Sequence, residues 1–178
     1  MPNLFLISDT HFGHQGMCEF LRDDGTKMRP WTNFVEMDAV IMNQWNKVVG
    51  KRDKVYHLGD VVINRRFLSY MTELNGEKIL IKGNHDIFKL SDYTPHFKDI
   101  RACHRLDKNY VLSHIPIHQD SLKKEQYNLH GHLHHKNVMK NGQIDPQYVN
   151  LSVEQINYTP VSFEELKKSI LQQAQAQK

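Results

Sequence analysis

Cysteine is scarce: Cys18 and Cys103 are the only thiols in 178 residues, too few and too far apart for a disulfide framework or a thiolate metal site. No apolar run approaches the length that a membrane-spanning helix needs. The N-terminus enters a strand-like stretch without the basic and long apolar segments of a signal peptide. No charge sign dominates either. The formal net charge is +3, and apart from Arg65-Arg66 and Lys123-Lys124 the basic residues are scattered, so no basic stripe argues for nucleic acid. Repeats, linkers and low-complexity segments are absent. A hydrophobic fraction of 39% and a charged fraction of 24% then describe an ordinary globular chain, long enough to bury a core without crosslinks. The expectation is one domain over residues 1–172 with a frayed polar tail over 173–178, in a soluble cytoplasmic protein with no membrane partner.

Short apolar runs alternate with helical patterns in the first half. Asn3–Ser8 reads as a buried strand. From Asn33 to Val49, Phe34, Met37, Val40/Ile41, Trp45 and Val48 recur at helical spacing, with Asn33 and Glu36 as a capping pair and Gly50 as the stop. Lys54–Leu58 is a second strand, Arg65–Glu73 a second helix, and Glu77–Ile81 a third strand. This βαβαβ order implies parallel strands joined by helical crossovers. In the second half, strands are expected at Ile100–His104, Tyr110–Ser113, Tyr127–Leu129 and Tyr148–Val153, and Ser162 with Glu165 opens a last helix. Two stacked sheets with helices outside follow.

Five polar clusters punctuate this pattern, several of them directly after an apolar run. They are Asp9-Thr10-His11, Gly59-Asp60, Gly83-Asn84-His85-Asp86, Ser113-His114 and Gly131-His132-Leu133-His134. Asp9, His11, Asp60, Asn84, His114, His132 and His134 offer four imidazoles, two carboxylates and one amide oxygen, without sulfur. Such a set suits borderline divalent ions, Mn²⁺ foremost and Fe²⁺, Co²⁺, Ni²⁺ or Zn²⁺ beside it, better than Ca²⁺ or Mg²⁺. In Asp9-x-His11 and His132-x-His134, residues i and i+2 converge on one locus if the backbone is extended. Asp60, with two oxygens, can bridge two ions, and Asn84 adds a neutral donor that leaves charge for an anion. A pair of divalent ions suits displacement at phosphorus.

The order of these motifs resembles the calcineurin-like metallophosphoesterase superfamily, in particular its small, cap-less bacterial and phage-type members. The resemblance runs from Asn3 to about Ser169. Beyond the five clusters it includes Phe12-Gly13-His14, Arg29-Pro30, Trp45-Asn46, Tyr56-His57-Leu58 and Asn157-Tyr158-x-Pro160-Val161-Ser162. It implies an α/β fold, a four-layer αββα sandwich of two mixed sheets flanked by helices. Asp9, His11 and His134 would share one metal with bridging Asp60, and Asn84, His114 and His132 the other. His85 would be no ligand but would give a proton to the leaving oxygen, or stabilise charge building on the phosphoryl group, with Asp86 orienting it. The implied chemistry is hydrolysis of phosphodiester bonds in nucleotides or cyclic nucleotides, by in-line attack of a metal-bridging hydroxide. A phosphomonoesterase, a nuclease and a non-catalytic metal-loaded scaffold are the alternatives, and nucleic acid stays open as a partner.

Three further residues are candidates for substrate contact. Arg29 has the bidentate geometry that phosphate favours, against a salt bridge on its loop. His14 and His118 stand near the motifs, each balanced against a surface role. His57 and His130 flank motif residues and, by strand alternation, should point into the core.

Overall fold

The computed structural model describes residues 2–124 and 126–176. Strand β1 (Leu4–Ile7) pairs in parallel with β2 (Lys54–His57), β2 with β3 (Glu77–Ile81), and β3 with β4 (Asp99–Arg101). Between β1 and β2 runs α1 (Phe34–Val48), and the Asn33 side chain accepts the Glu36 N–H at 3.0 Å. The cap read from the sequence is therefore in place. Before β3 the expected helix over Arg65–Glu73 is shorter: Arg65–Ser69 winds as a 3-10 turn, and only α2 (Tyr70–Glu73) is α-helical. A further single turn, α3 (Leu90–Tyr93), precedes β4.

The stretch Ile100–His104, expected as one strand, is broken at Ala102. Residues before the break belong to β4, and β5 (Cys103–Arg105) joins the other sheet. Alternation of side chains records that a segment is extended but not which sheet it pairs with. The second sheet has the order β10-β7-β6-β5, with β6 (Tyr110–Ser113), β7 (Tyr127–His130) and β10 (Tyr148–Asn150) parallel and β5 antiparallel to β6. A small hairpin of β8 (Met139–Lys140) and β9 (Gln143–Ile144) stands apart. Strand β11 (Val161–Ser162) closes the first sheet antiparallel to β1, and α4 (Phe163–Ala176) follows, passing Gln172 where a frayed tail was expected.

Period-two alternation sorts the core into two layers. On β1, Phe5 and Ile7 face Met37, Ile41 and Trp45 of α1, while Leu6 faces the second sheet. Leu6, Tyr56, Ile79 and Ile81 meet Leu112, Leu129, Phe163 and Ile170 in the space between the sheets. The fold is thus the αββα sandwich of two mixed sheets with flanking helices. Its consequence for function is geometric. Chain segments leave β1, β2, β3, β6 and β7 at their carboxyl ends along one edge, where parallel α/β sheets hold ligands. Ser8 bridges to Ser152, and its N–H donates to the Leu151 carbonyl at 2.9 Å, so the two sheets are stitched together there. Among the described residues, no helix is long and apolar enough to cross a membrane.

Candidate metal centre

All five clusters meet at that edge. The expected route to convergence was extended backbone within each i, i+2 pair, and the structure takes another. Asp9 (φ 58°), His11 (φ 48°), Asp60 (φ 56°), His132 (φ 68°) and His134 (φ 51°) are all left-handed. For residues other than glycine this region costs on the order of 1 kcal/mol or more each, and it persists where surroundings over-determine it. Two tight approaches contribute to that constraint. A Cβ on Gly131 would collide with the Ser8 hydroxyl and the Asp9 carboxylate, and one on Gly83 with the Asp60 carboxylate and backbone.

The donors form two groups, Asp9–His11–His134 and Asp60–His114–His132, each with its donor atoms within 4.8 Å of one another. Asp60 links them through one oxygen rather than two. Its Oδ1 accepts the His85 N–H at 2.8 Å, while Oδ2 lies 3.6 Å from His11 Nε2 and 3.3 Å from His114 Nε2. Asn84 Oδ1 sits 2.9 Å from both His114 Nε2 and His132 Nδ1.

Proton positions follow from the acceptors around each ring. His114 Nδ1 lies 2.8 Å from the Leu58 carbonyl, which can only accept, so Nδ1 carries the hydrogen. In the neutral ring Nε2 then points a lone pair at oxygens of Asp60 and Asn84. His134 repeats the pattern, with Nδ1 directed at the Glu154 carboxylate at 3.3 Å and Nε2 left for the site. Asp9 Oδ1 and both nitrogens of His11 are buried without a hydrogen-bond partner among the described residues. Acceptors facing acceptors demand a positive charge between them. The ionisation of these groups says the same. Burial opposes charge on His114, yet Asp60 and Asp9 outweigh it and raise its pKa; burial also raises Asp9 and pushes His11 well down. Residues of this kind fit divalent cations, which supply that charge without a proton.

A buried scaffold holds the donors. Asp9 Oδ2 accepts the His132 N–H at 2.9 Å and the Ser152 hydroxyl at 3.0 Å. Below them, the Thr10 hydroxyl donates to the Val61 carbonyl at 2.9 Å, so His57 Nε2–H donates to Thr10 while Nδ1 accepts the Gly59 N–H. His57 is thereby neutral, and burial pushes its pKa down to about 3. His57 and His130 are both fully buried, as alternation indicated.

Two expected roles change. Asp86 does not orient His85: its carboxylate accepts the N–H groups of Asp60 (2.9 Å), Val61 (3.1 Å) and Gly83 (2.8 Å), pinning the loop that carries Asp60. Among the described residues, no hydrogen bond joins this carboxylate to the His85 ring; its three bonds all go to backbone N–H groups. His85 is instead positioned through its own backbone bond to Asp60, and its side chain is exposed, with its ring centroid 5.5 Å from that of His11. Arg29 cannot meet substrate, because it is fully buried. Its guanidinium donates to the carbonyls of Asp9 (2.6 Å) and Thr10 (2.8 Å) and to Glu154 (2.7 Å).

The other two candidates diverge. His14 is half-buried with its ring 5.8 Å from that of His11, at the edge of the centre. His118 is exposed on the loop after β6, where its ring accepts the Asp120 N–H at 3.3 Å and so caps a 3-10 turn. Sequence reasoning missed Glu154, Ser152 and Asp38. The first two follow the apolar run of β10 just as the recognised clusters follow theirs, which was the available signal.

Asp38 accepts the Gly13 N–H at 2.8 Å, and its second oxygen has no partner among the described residues. Burial lifts its pKa from 3.8 to about 7. Between those values the unfolded chain has released this proton and the folded chain retains it, so Asp38 lowers stability as pH rises through that window. Asp38→Asn keeps an acceptor for Gly13 and removes the charge. At pH 8 the variant is expected to be more stable by roughly 2–4 kcal/mol, with the gain vanishing near pH 4. Denaturant titrations at both pH values check this, and an equal effect at each would refute it.

Comparison with known proteins agrees with this geometry. Residues 3–151 match the model of the calcineurin-like phosphoesterase superfamily domain. An uncharacterized protein of Methanocaldococcus jannaschii is 33% identical over 176 residues, covering 96% of this chain and 92% of its own length. The Gene 66 protein of Mycobacterium phage D29 is 24% identical, covering 86% of this chain and 89% of its own. In fold, the crystal structure of a protein of unknown function from Aquifex aeolicus is similar, with a TM-score of 0.69 at 24% identity over 94% of this chain and 99% of that one.

Proposed function

Because the chain belongs to the calcineurin-like phosphoesterase superfamily, we propose that it hydrolyses phosphodiester bonds in nucleotides or cyclic nucleotides with the help of two divalent transition-metal ions. Family and donor groups together support a metal-dependent phosphoesterase. The observation that carries the dinuclear reading is Asp60 Oδ2, a single oxygen facing both groups. Asp9, His11 and His134 would hold one ion and Asn84, His114 and His132 the other, each with Asp60. The nitrogen and oxygen donors favour Mn²⁺, with Fe²⁺, Co²⁺, Ni²⁺ and Zn²⁺ as competitors. Such ions, when bound, polarise phosphoryl oxygens and make water acidic enough to attack at neutral pH.

The protein's own groups set the rest. Asn84 contributes a neutral oxygen, so the centre keeps net positive charge for an anionic ester. His85 stands exposed beside His11 and has no side-chain partner among the described residues, which leaves its ring free to donate to a departing alkoxide. Asn84 and His85 are exposed and His132 is half-exposed, an open rim that admits two substituents on phosphorus as readily as one. That openness leaves room for the second ester group of a diester.

With Mn²⁺ present, the protein is expected to cleave bis-p-nitrophenyl phosphate and to turn over p-nitrophenyl phosphate much more slowly; the opposite ratio would favour a monoesterase. His85→Ala should retain both ions by metal analysis and lose ~10²–10⁴-fold in turnover of substrates with ordinary alkoxide leaving groups. Loss of the ions in that variant would refute the assigned role.

A further inference from the structure

Beside the Asn84–His114 side of the centre lies an open cavity of ≈ 370 Å³, whose lining includes Lys82, Ala102, Ser113, Ile115 and Ile117. It sits on the seam where the chain crosses from the first sheet to the second, between the end of β3, the break at Ala102 and the end of β6. Two features distinguish it from a mere gap between loops. Its polar lining is already committed on one side: the Ser113 hydroxyl donates to the Ile115 carbonyl at 2.7 Å, and the Ile117 N–H donates to Asn128 at 3.0 Å. What remains for a ligand is an apolar wall, with Ile115 52% exposed despite its position beside a metal-donor residue. The second feature is Lys82. It follows β3 directly, two residues before Asn84, and its backbone N–H donates to the Arg101 carbonyl at 2.8 Å. Its ammonium has no carboxylate or carbonyl partner among the described residues, and it differs from the other unpaired lysines in lining this cavity beside Asn84.

We infer that this cavity is the subsite for the group esterified to the scissile phosphate, and that Lys82 selects substrates carrying a second phosphate on that group. The inference rests on the phosphoesterase reading above and deepens it. A cavity of this size takes a nucleoside-sized body, the isoleucines offer apolar area to a flat base, and an unpaired ammonium offers a phosphate a charge-assisted hydrogen bond. Lys82 therefore acts on specificity and not on the chemical step.

Binding separates this proposal from catalysis. Calorimetry of the 178-residue chain with Mn²⁺ would compare adenosine 3′,5′-bisphosphate with adenosine 5′-monophosphate and 3′-monophosphate. The bisphosphate should bind about tenfold tighter than either monophosphate. Lys82→Ala should abolish that gap and leave the monophosphates and the melting temperature unchanged, because its side chain holds nothing together in the fold. Ile115→Ala should weaken all three ligands by the same factor. A gap of equal size in wild type and Lys82→Ala would overturn the inference, as would indifference of every ligand to Ile115→Ala. If the Lys82-dependent gap is found in a protein that hydrolyses no diester, the subsite stands and the diesterase reading falls.

Discussion

Asp60→Asn is expected to strip both donor groups together: metal analysis should fall from two Mn²⁺ per chain to well below one, and turnover by more than ~10³-fold. Outer partners of metal ligands typically cost only ~10–100-fold, and Asp60 is not an outer partner. Its Oδ2 is the one atom facing both His11 and His114. Asparagine has the same shape, so it can still accept the His85 N–H and leave the backbone bonds to Asp86 in place. What it lacks is the negative charge that offsets a cation in the middle of the cluster. Ionisation of Asp60 is favoured there, since His114 and the His85 N–H outweigh burial and hold its carboxyl below the ordinary value. A useful contrast is Asn84→Ala, which touches only the second group and should cost one ion. Two ions and near-normal turnover in Asp60→Asn would end the dinuclear account.

How much of this centre was readable beforehand depended on whether a residue's role is local. Asp9, His11, Asp60, Asn84, His114, His132 and His134 carry their signal in cis, as polar clusters after apolar runs, and the fold brings all seven together. The way they converge was not readable. Periodicity suggests extended pairs, but left-handed turns at Asp9, His11, Asp60, His132 and His134 do the aiming, and such conformations are imposed by packing that the sequence pattern does not display. Asp86 was misread for a related reason. The resemblance implied His85 as its partner, and the backbone of Asp60, Val61 and Gly83 claims it instead. Similarly the break at Ala102 is invisible in alternation, because both halves of Ile100–His104 are extended. The most distant error concerns Arg29 and Glu154. They are 125 residues apart, and no local feature marks either as the other's counter-ion.

That pair leads to the largest expected effect on stability. Arg29→Ala should destabilise the fold by ~3–5 kcal/mol, the usual consequence of removing one member of a buried ion pair. Neither side chain has any measurable exposure. The arginine also supplies donors to the carbonyls of Asp9 and Thr10, so its removal frees the strained loop that aims Asp9 and His11. Metal content of the first group should fall along with stability. Acid dependence provides an independent check. Burial works against the charge on Glu154, but Arg29 and His134 prevail and bring its pKa from 4.5 to about 2. A depressed carboxyl contributes stability above the unfolded value and loses it as pH falls through the folded one. Over that window the wild type should lose roughly 3 kcal/mol through this group. Arg29→Ala keeps only the share that His134 supplies and so has less to lose, and its deficit should narrow as pH falls from 4.5 towards 2. Arg29→Lys, with one point charge in place of a fork, should retain the attraction to Glu154 but not all three bonds, and fall between the two. A deficit in Arg29→Ala below ~0.5 kcal/mol, or one that stays constant across the acid range, would show that the pair does not brace the metal loop.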